Sequence, residues 1–190
     1  EEEIAYWSER LAGAPAKLDL PTDRPYPPKA GFLGQSRSVT VPAELLASIK
    51  SFAQANGTTL FTVLLAGLRI LLHRWTGQQD MVIGTVVSNR SRAETERMLG
   101  CFLNFLPLRG NTAPKDSASD VLLSERRAVM DAFAHQAPFL KIAAEVSSRD
   151  ASSPVYNVAL LLQNFPEMKF AGGDFSAQFL EQEVETALLD

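Results

Sequence analysis

The longest apolar stretch of the chain is Leu60-Phe61-Thr62-Val63-Leu64-Leu65-Ala66-Gly67-Leu68-Arg69-Ile70-Leu71-Leu72-His73-Arg74-Trp75, and it contains no proline. Thr58 or Thr59 can accept the first free backbone N–H, and Gly77 stands where a left-handed cap favours glycine. Apolar residues cover most of the circumference, which predicts a buried helix. Its polar positions, Thr62, Arg69 and His73, fall on one narrow stripe. It is too short and too interrupted by charge to span a membrane. Two strands are expected next. Met81–Val87 is rich in β-branched residues, and Leu99–Arg109 is apolar with glycine and proline punctuation. Between them Ser88–Arg97 is strongly polar and reads as an exposed excursion with room for a helical turn. Loops of that length between well-defined elements often carry function.

The flanks complete an α/β pattern. Glu1–Ala14 places Ile4, Trp7 and Leu11 at helical spacing and stops at Gly13. Pro15, Pro21, Pro25, Pro27 and Pro28 make the run to Gly34 an extended strap, because proline fixes its own φ and biases its predecessor away from helix. Ser36–Val41 alternates as a strand does. Pro42 then opens a helix whose apolar face is Leu45, Leu46, Ile49, Phe52 and Ala53, ended by Gly57. Ser117 or Ser119 can cap a further long helix with Val121, Leu122, Val129, Ala132 and Phe133 inward, ending near His135-Gln136-Ala137-Pro138. A short helix over Phe139–Val146, a buried strand over Val155–Asn164, a Gly172-Gly173 turn and a strand around Phe175–Leu180 follow. The whole reads as one domain: a helix and proline-rich connector over 1–34, an α/β core over 35–165 and an incomplete tail over 166–190.

Composition narrows the chemistry. A hydrophobic share of 46% among 190 residues is that of an ordinary globular domain. A net charge of −4 argues against a nucleic-acid surface, which needs clustered Lys and Arg. No signal peptide or transmembrane run is visible. The tripeptides Asn56-Gly57-Thr58 and Asn89-Arg90-Ser91 fit the glycosylation sequon and are read as chance. With one cysteine and two separated histidines, no disulfide is available and a zinc site is improbable. No Gly-x-Ser-x-Gly nucleophile elbow and no phosphate-cradling glycine loop is present. His73 reads as a histidine hydrogen-bonded at the core edge rather than a general base, His135 as a helix C-terminal cap, and Cys101 as a small buried hydrophobe. Arg90 and Arg92 read as solvated charges. Asn104 is the odd member of an apolar strand, so it is either a node of a hydrogen-bond network or a substrate contact.

Five groups of residues in one order then carry a resemblance. They are Tyr6-Trp7 with Leu11–Pro15 and Leu20–Pro25; Thr59–Phe61 through Leu71–Arg74 and Gly77–Asp80; Gly100-Cys101-Phe102-Leu103-Asn104 with Arg109; His135-Gln136 with Pro138-Phe139; and Arg149–Ser152 with Pro154 and Gln163-Asn164. Together they resemble the C-terminal lobe of a condensation domain from a nonribosomal peptide synthetase. The third group is similar to that family's Gly-x-Phe-x-Asn…Arg motif, and the fourth to its His-Gln-Asp-x-Pro-Phe-Glu motif.

The resemblance implies one lobe of a chloramphenicol-acetyltransferase-like two-lobed fold, a mixed sheet packed with helices, with the active site in a tunnel between the lobes. It implies a cytoplasmic enzyme that joins aminoacyl or peptidyl thioesters presented on the phosphopantetheine arms of carrier proteins. The partners are then the N-terminal lobe and two carriers, with no nucleic acid, no membrane and no cofactor held by this lobe. Asn104 and Arg109 would support the tunnel wall. Asn89, Arg90, His135 and Gln136 are the other candidates for the tunnel or the lobe interface.

The catalytic His-His-x-x-x-Asp-Gly motif of the family is absent, so no catalytic residue is expected here. Phe105 stands where the family has threonine. The His-Gln motif lacks its aspartate and final glutamate and is one residue short, as is the fifth group, Arg149–Ser152 with Pro154, against the family's Arg-Asp motif. These departures fit a fragment or a divergent copy of a domain about twice this size. Two readings follow: one lobe of a working condensation domain, or a non-catalytic module of the same fold that recruits a carrier or a tailoring enzyme. A stand-alone acyltransferase would need a catalytic histidine the chain does not supply. An isolated lobe would expose the apolar surface its partner covers, which favours self-association.

Overall fold

A computed structural model of the chain describes residues 2–15, 17–24, 31, 33–90, 93–96, 98–147, 155–163, 171–172 and 175–176. Its elements run α1 (Glu2–Arg10), α2 (Ala43–Ala55), α3 (Leu60–Thr76), β1 (Asp80–Val87), α4 (Ala93–Glu96), β2 (Asn104–Asn111), α5 (Ala118–Ala134), α6 (Phe139–Ser147), β3 (Ala171–Gly172) and β4 (Phe175–Ser176). The caps are those the sequence offers. The Thr59 hydroxyl accepts the Thr62 N–H at 3.2 Å and Gly77 closes α3 at φ +73°. Ser117, not Ser119, caps α5, and Asp120 completes the reciprocal capping box.

β1 is the central strand. On one side β2 pairs with it antiparallel, from Asp80 opposite Asn111 to Val87 opposite Asn104. On the other side Gly84 donates to Val158 O and accepts from Leu160 N–H, a parallel bridge to the 155–163 segment. The sheet is therefore mixed, with helices packed against it. Because Gly84 aims its N–H and C=O at 158–160, its opposite number Pro107 sits in a non-hydrogen-bonded pair. The missing N–H of Pro107 then faces the outer side of β2, the place where a sheet tolerates proline. Met81 to Thr85 are all buried, so β1 is covered on both faces. The main core joins Trp7, Leu11 and Leu18 of the N-terminal segment to Leu65, Ile83, Leu106, Leu108 and Ile142.

The strap is fastened by amides. Asn157 receives the Leu18 N–H at 2.9 Å and donates to Leu18 O at 3.0 Å, and Gln78 accepts the Asp19 N–H at 2.6 Å. Pro25, Pro27 and Pro28 of the strap lie outside the described residues.

Several expectations are corrected. Residues 36–41 form no strand; they are exposed along their length and have no sheet neighbour. The second strand starts at Asn104, not Leu99, and Cys101 is exposed rather than buried. α3 is not buried all round, since Leu71 and Trp75 are exposed. Its polar stripe turns inward instead: Thr62 and Arg69 are among its most buried residues. Of the apolar face assigned to α2 only Ala53 is buried, because α3 is the main element packed against this helix. Phe133 is exposed as well. Of the 155–164 strand the described residues, 155–163, show one bridge, and of the Phe175–Leu180 strand only Phe175–Ser176 is described, paired with Ala171–Gly172. Arg92, Arg149–Ser152, Pro154 and Asn164 also lie outside the described residues. Among the described residues no single helix is long and apolar enough to cross a membrane.

Candidate functional site

β1 and the 158–163 segment run parallel and carry their carboxyl ends to the same place, the position where open α/β sheets hold ligands. There a groove of about 510 Å³ opens between Val86–Arg90, Leu103, Phe133, Gln136 and Leu161–Gln163. Its walls are mainly aliphatic and aromatic, with amide groups from Asn89, Gln136 and Gln163. Such a lining suits apolar and amide-bearing groups.

Three of the six candidate residues meet in this groove: Asn89, Arg90 and Gln136. Asn89 turns the chain out of β1 with φ +48°, a conformation asparagine tolerates better than most residues. Arg90 is not a solvated charge. Its guanidinium donates to the carbonyls of Thr95, Met98 (3.0 Å) and Gly100 (3.0 Å) and lies 4.3 Å from the centre of the Phe102 ring. Gln136 donates to Phe133 O at 3.2 Å at the end of α5.

The other three candidates stand behind the groove or away from it. Asn104 donates to Ala137 O at 2.8 Å and accepts the Phe139 N–H at 3.0 Å, fixing the α5–α6 turn to the start of β2. Both of its polar atoms are used within the chain, as in a network node. His135 caps α5 through its N–H to Asp131 O at 3.0 Å. Its ring stacks on Tyr6 at 4.1 Å with Nδ1 3.0 Å from Glu3 Oε2, and its carbonyl accepts the buried Trp7 indole N–H at 2.6 Å. Arg109 is at the opposite end of the sheet. It grips Asp80 with two nitrogens and donates to Arg10 O and Ala12 O, while Arg10 donates back to Arg109 O at 2.8 Å. The hydrogen bond from Arg109 to Asp80 raises the Arg109 pKa further above its ordinary value. His73 Nδ1 lies 2.9 Å from Gln78 O, at the core edge.

The motif residues singled out in the sequence are thus joints. Asn104 ties the Gly-x-Phe-x-Asn motif to the His-Gln motif, Trp7 ties the connector to His135, and Arg109 ties it to β1. Asn104→Ala is expected to cost about 1–3 kcal/mol, because it strands a carbonyl and an amide that were paired. Denaturant unfolding checks this; an unchanged midpoint would mean the turn is held by other contacts.

The chemistry available in the groove is binding and orientation. Among the described residues of its lining Arg90 is the one charged side chain, and that charge is engaged with carbonyls. Among the described lining residues no histidine, carboxylate, cysteine, lysine or tyrosine is present to transfer a proton. Among the described residues no group of three or more His, Cys, Asp or Glu side chains gathers as for a metal. The sequence reading missed Phe133 and Leu161–Gln163 as lining, because a groove wall looks like a core position in a linear pattern. It also missed Glu125, which is fully buried. The available signal was its place in the register of Val121, Leu122, Ala128 and Ala132, where a core-facing side chain is due.

The fold recurs in known proteins. The family model for the condensation domain matches residues 1–188. A linear gramicidin synthase of Brevibacillus parabrevis is 40% identical over 87% of the chain, which spans 2% of that protein's length. The first condensation domain of the CDA synthetase superposes with a TM-score of 0.73 at 24% identity, over 91% of this chain and 37% of that one. The X-domain from teicoplanin biosynthesis, solved in complex with OxyB, superposes with a TM-score of 0.71 at 27% identity, over 83% and 35%.

Proposed function

The chain belongs to the condensation-domain family, and from that premise we propose that it is the tunnel-forming lobe of a domain that makes amide bonds in nonribosomal peptide assembly. One carrier protein presents an aminoacyl or peptidyl thioester on a phosphopantetheine arm, and a second presents the acceptor amine. The amine attacks the thioester carbonyl, the amide bond forms and the donor thiol leaves. This lobe binds and orients; the group that handles the amine proton belongs to the N-terminal lobe. The observation that supports the reading is the groove at the strand carboxyl ends, apolar and amide-lined, with no uncommitted acid or base among its described lining residues. An apolar, amide-rich pantetheine arm or peptide is the kind of chain such walls accept.

The test is complementation. The chain is combined with a catalytic lobe of the same family and two loaded carriers. Peptide product is expected from the mixture and from neither lobe alone. A folded mixture that binds carriers and yields no product would sink the proposal. It would leave the second reading, a non-catalytic recruiting module, which the shortened His-Gln motif and the likeness to an X-domain solved with OxyB support.

A further inference from the structure

Arg90 has a task that neither the fold nor the amide-forming reaction demands of it. The loop from 98 to 103 has no regular structure, and Leu99 on it is fully exposed. Among the described residues its one backbone–backbone bond is Met98 N–H to Thr95 O, at 3.3 Å. The Arg90 side chain reaches across it: the planar fork donates to the carbonyls of Thr95, Met98 and Gly100 while its face covers Phe102. The same residue lines the groove beside Asn89 and Leu103.

We propose that Arg90 is a positioning residue: by clamping Met98–Phe102 against Thr95 it sets the rim of the groove, and so what the groove admits. The second half rests on the proposed function; the clamp itself does not. Lysine cannot substitute, because a single ammonium has neither the fork that spans separate carbonyls nor the flat face that stacks on a ring. The charge matters less than the shape.

The chain provides its own reporter. Cys101 is its sole cysteine, is exposed, and lies between two of the residues Arg90 holds. A nitroxide attached there reads loop mobility directly in the full chain. In Arg90→Ala, and equally in Arg90→Lys, the label's rotational correlation time is expected to shorten by at least about twofold, as a loop moves from an anchored to a free regime. In the complementation reaction, Arg90→Ala is expected to raise KM for at least one loaded carrier about tenfold with kcat within about twofold, the mark of lost binding rather than lost chemistry. Identical spectra for wild type and Arg90→Ala overturn the proposal whatever the mixture does. Full rescue of the label's immobility by Arg90→Lys also overturns it. A wild-type mixture that makes no product counts against the proposed function, and the spin label then decides the clamp alone.

Discussion

Glu125→Leu is expected to destabilise the chain by about 3–5 kcal/mol, the cost of leaving one member of a buried ion pair uncompensated. Glu125 and Arg69 are both fully buried, with Arg69 Nε 2.5 Å from Glu125 Oε1. The guanidinium also donates to the carbonyls of Met81, Leu108 and Gly110 at 3.0–3.1 Å. Those carbonyls already serve the sheet. Counting from the non-hydrogen-bonded Gly84–Pro107 pair, Ile83–Leu108 and Met81–Gly110 are the hydrogen-bonded pairs. Arg69 therefore takes their second lone pairs from the face of the sheet, pinning α3 and α5 to it at one point. Gly110 makes the space: a Cβ there would stand 2.6 Å from Arg69 Cζ and 2.7 Å from Glu125 Oε1.

The asymmetry between breaking and replacing the pair is the sharper test. The double change Arg69→Met with Glu125→Leu removes both charges together and leaves no polar atom stranded except carbonyls that keep their ladder bonds. It is expected to recover most of what either single change loses. Guanidinium unfolding of the four proteins closes the cycle. Single changes that cost under about 1 kcal/mol would mean that water reaches the pair, and the buried-charge account would fail.

This pair also marks where the sequence stops being legible. Caps, helix lengths and the two central strands are written locally: Thr59, Gly77, Ser117 and the β-branched run of β1 each act within a few residues. The inward turn of Arg69 is not local. A charged residue on a helix reads as surface until its partner, 56 positions away, is known. The reverse error occurs at Cys101, Phe133 and Leu71, which read as core but are exposed. Asn104 was readable as an anomaly, and only the fold could say that its partners are Ala137 and Phe139. The groove itself was not readable, because its walls come from the ends of β1, α5 and a segment that joins the sheet through one β-bridge among the described residues. The polar run Ser88–Arg97 stood out against its apolar flanks, but Asn89 and Arg90 became candidates for the tunnel or lobe interface only through the resemblance, and Gln136 through the likeness of His135-Gln136 to the family's His-Gln motif.

That single bridge makes Gly84 the position where fold and groove are most tightly linked. A Cβ at residue 84 would meet the Tyr156 ring at 2.2 Å from Cε2 and 2.4 Å from Cζ, distances no rotamer change of an alanine can relieve. The ring has little freedom to yield, since Tyr156 is only 7% exposed and packs on Phe139 at 5.7 Å between centroids. Burial also raises its hydroxyl pKa, as a low-dielectric surrounding should. In Gly84→Ala either the ring leaves the core or 158–160 peels from β1, taking the Thr85 hydroxyl bond to Leu160 O with it. The expected loss is about 3 kcal/mol, the upper end for overpacking. Because Leu161–Gln163 continue directly from the bridge, the groove wall should move with it, and complementation with a catalytic lobe should fall further than the stability loss alone explains. The cycle with Tyr156→Ala isolates the cause. Once the ring is gone, adding Gly84→Ala should cost under about 1 kcal/mol, since the added methyl then meets empty space. If Gly84→Ala costs as much without the ring as with it, the clash is not the reason for glycine at this position, and the backbone pairing of β1 with 158–160 must be what the methyl disturbs.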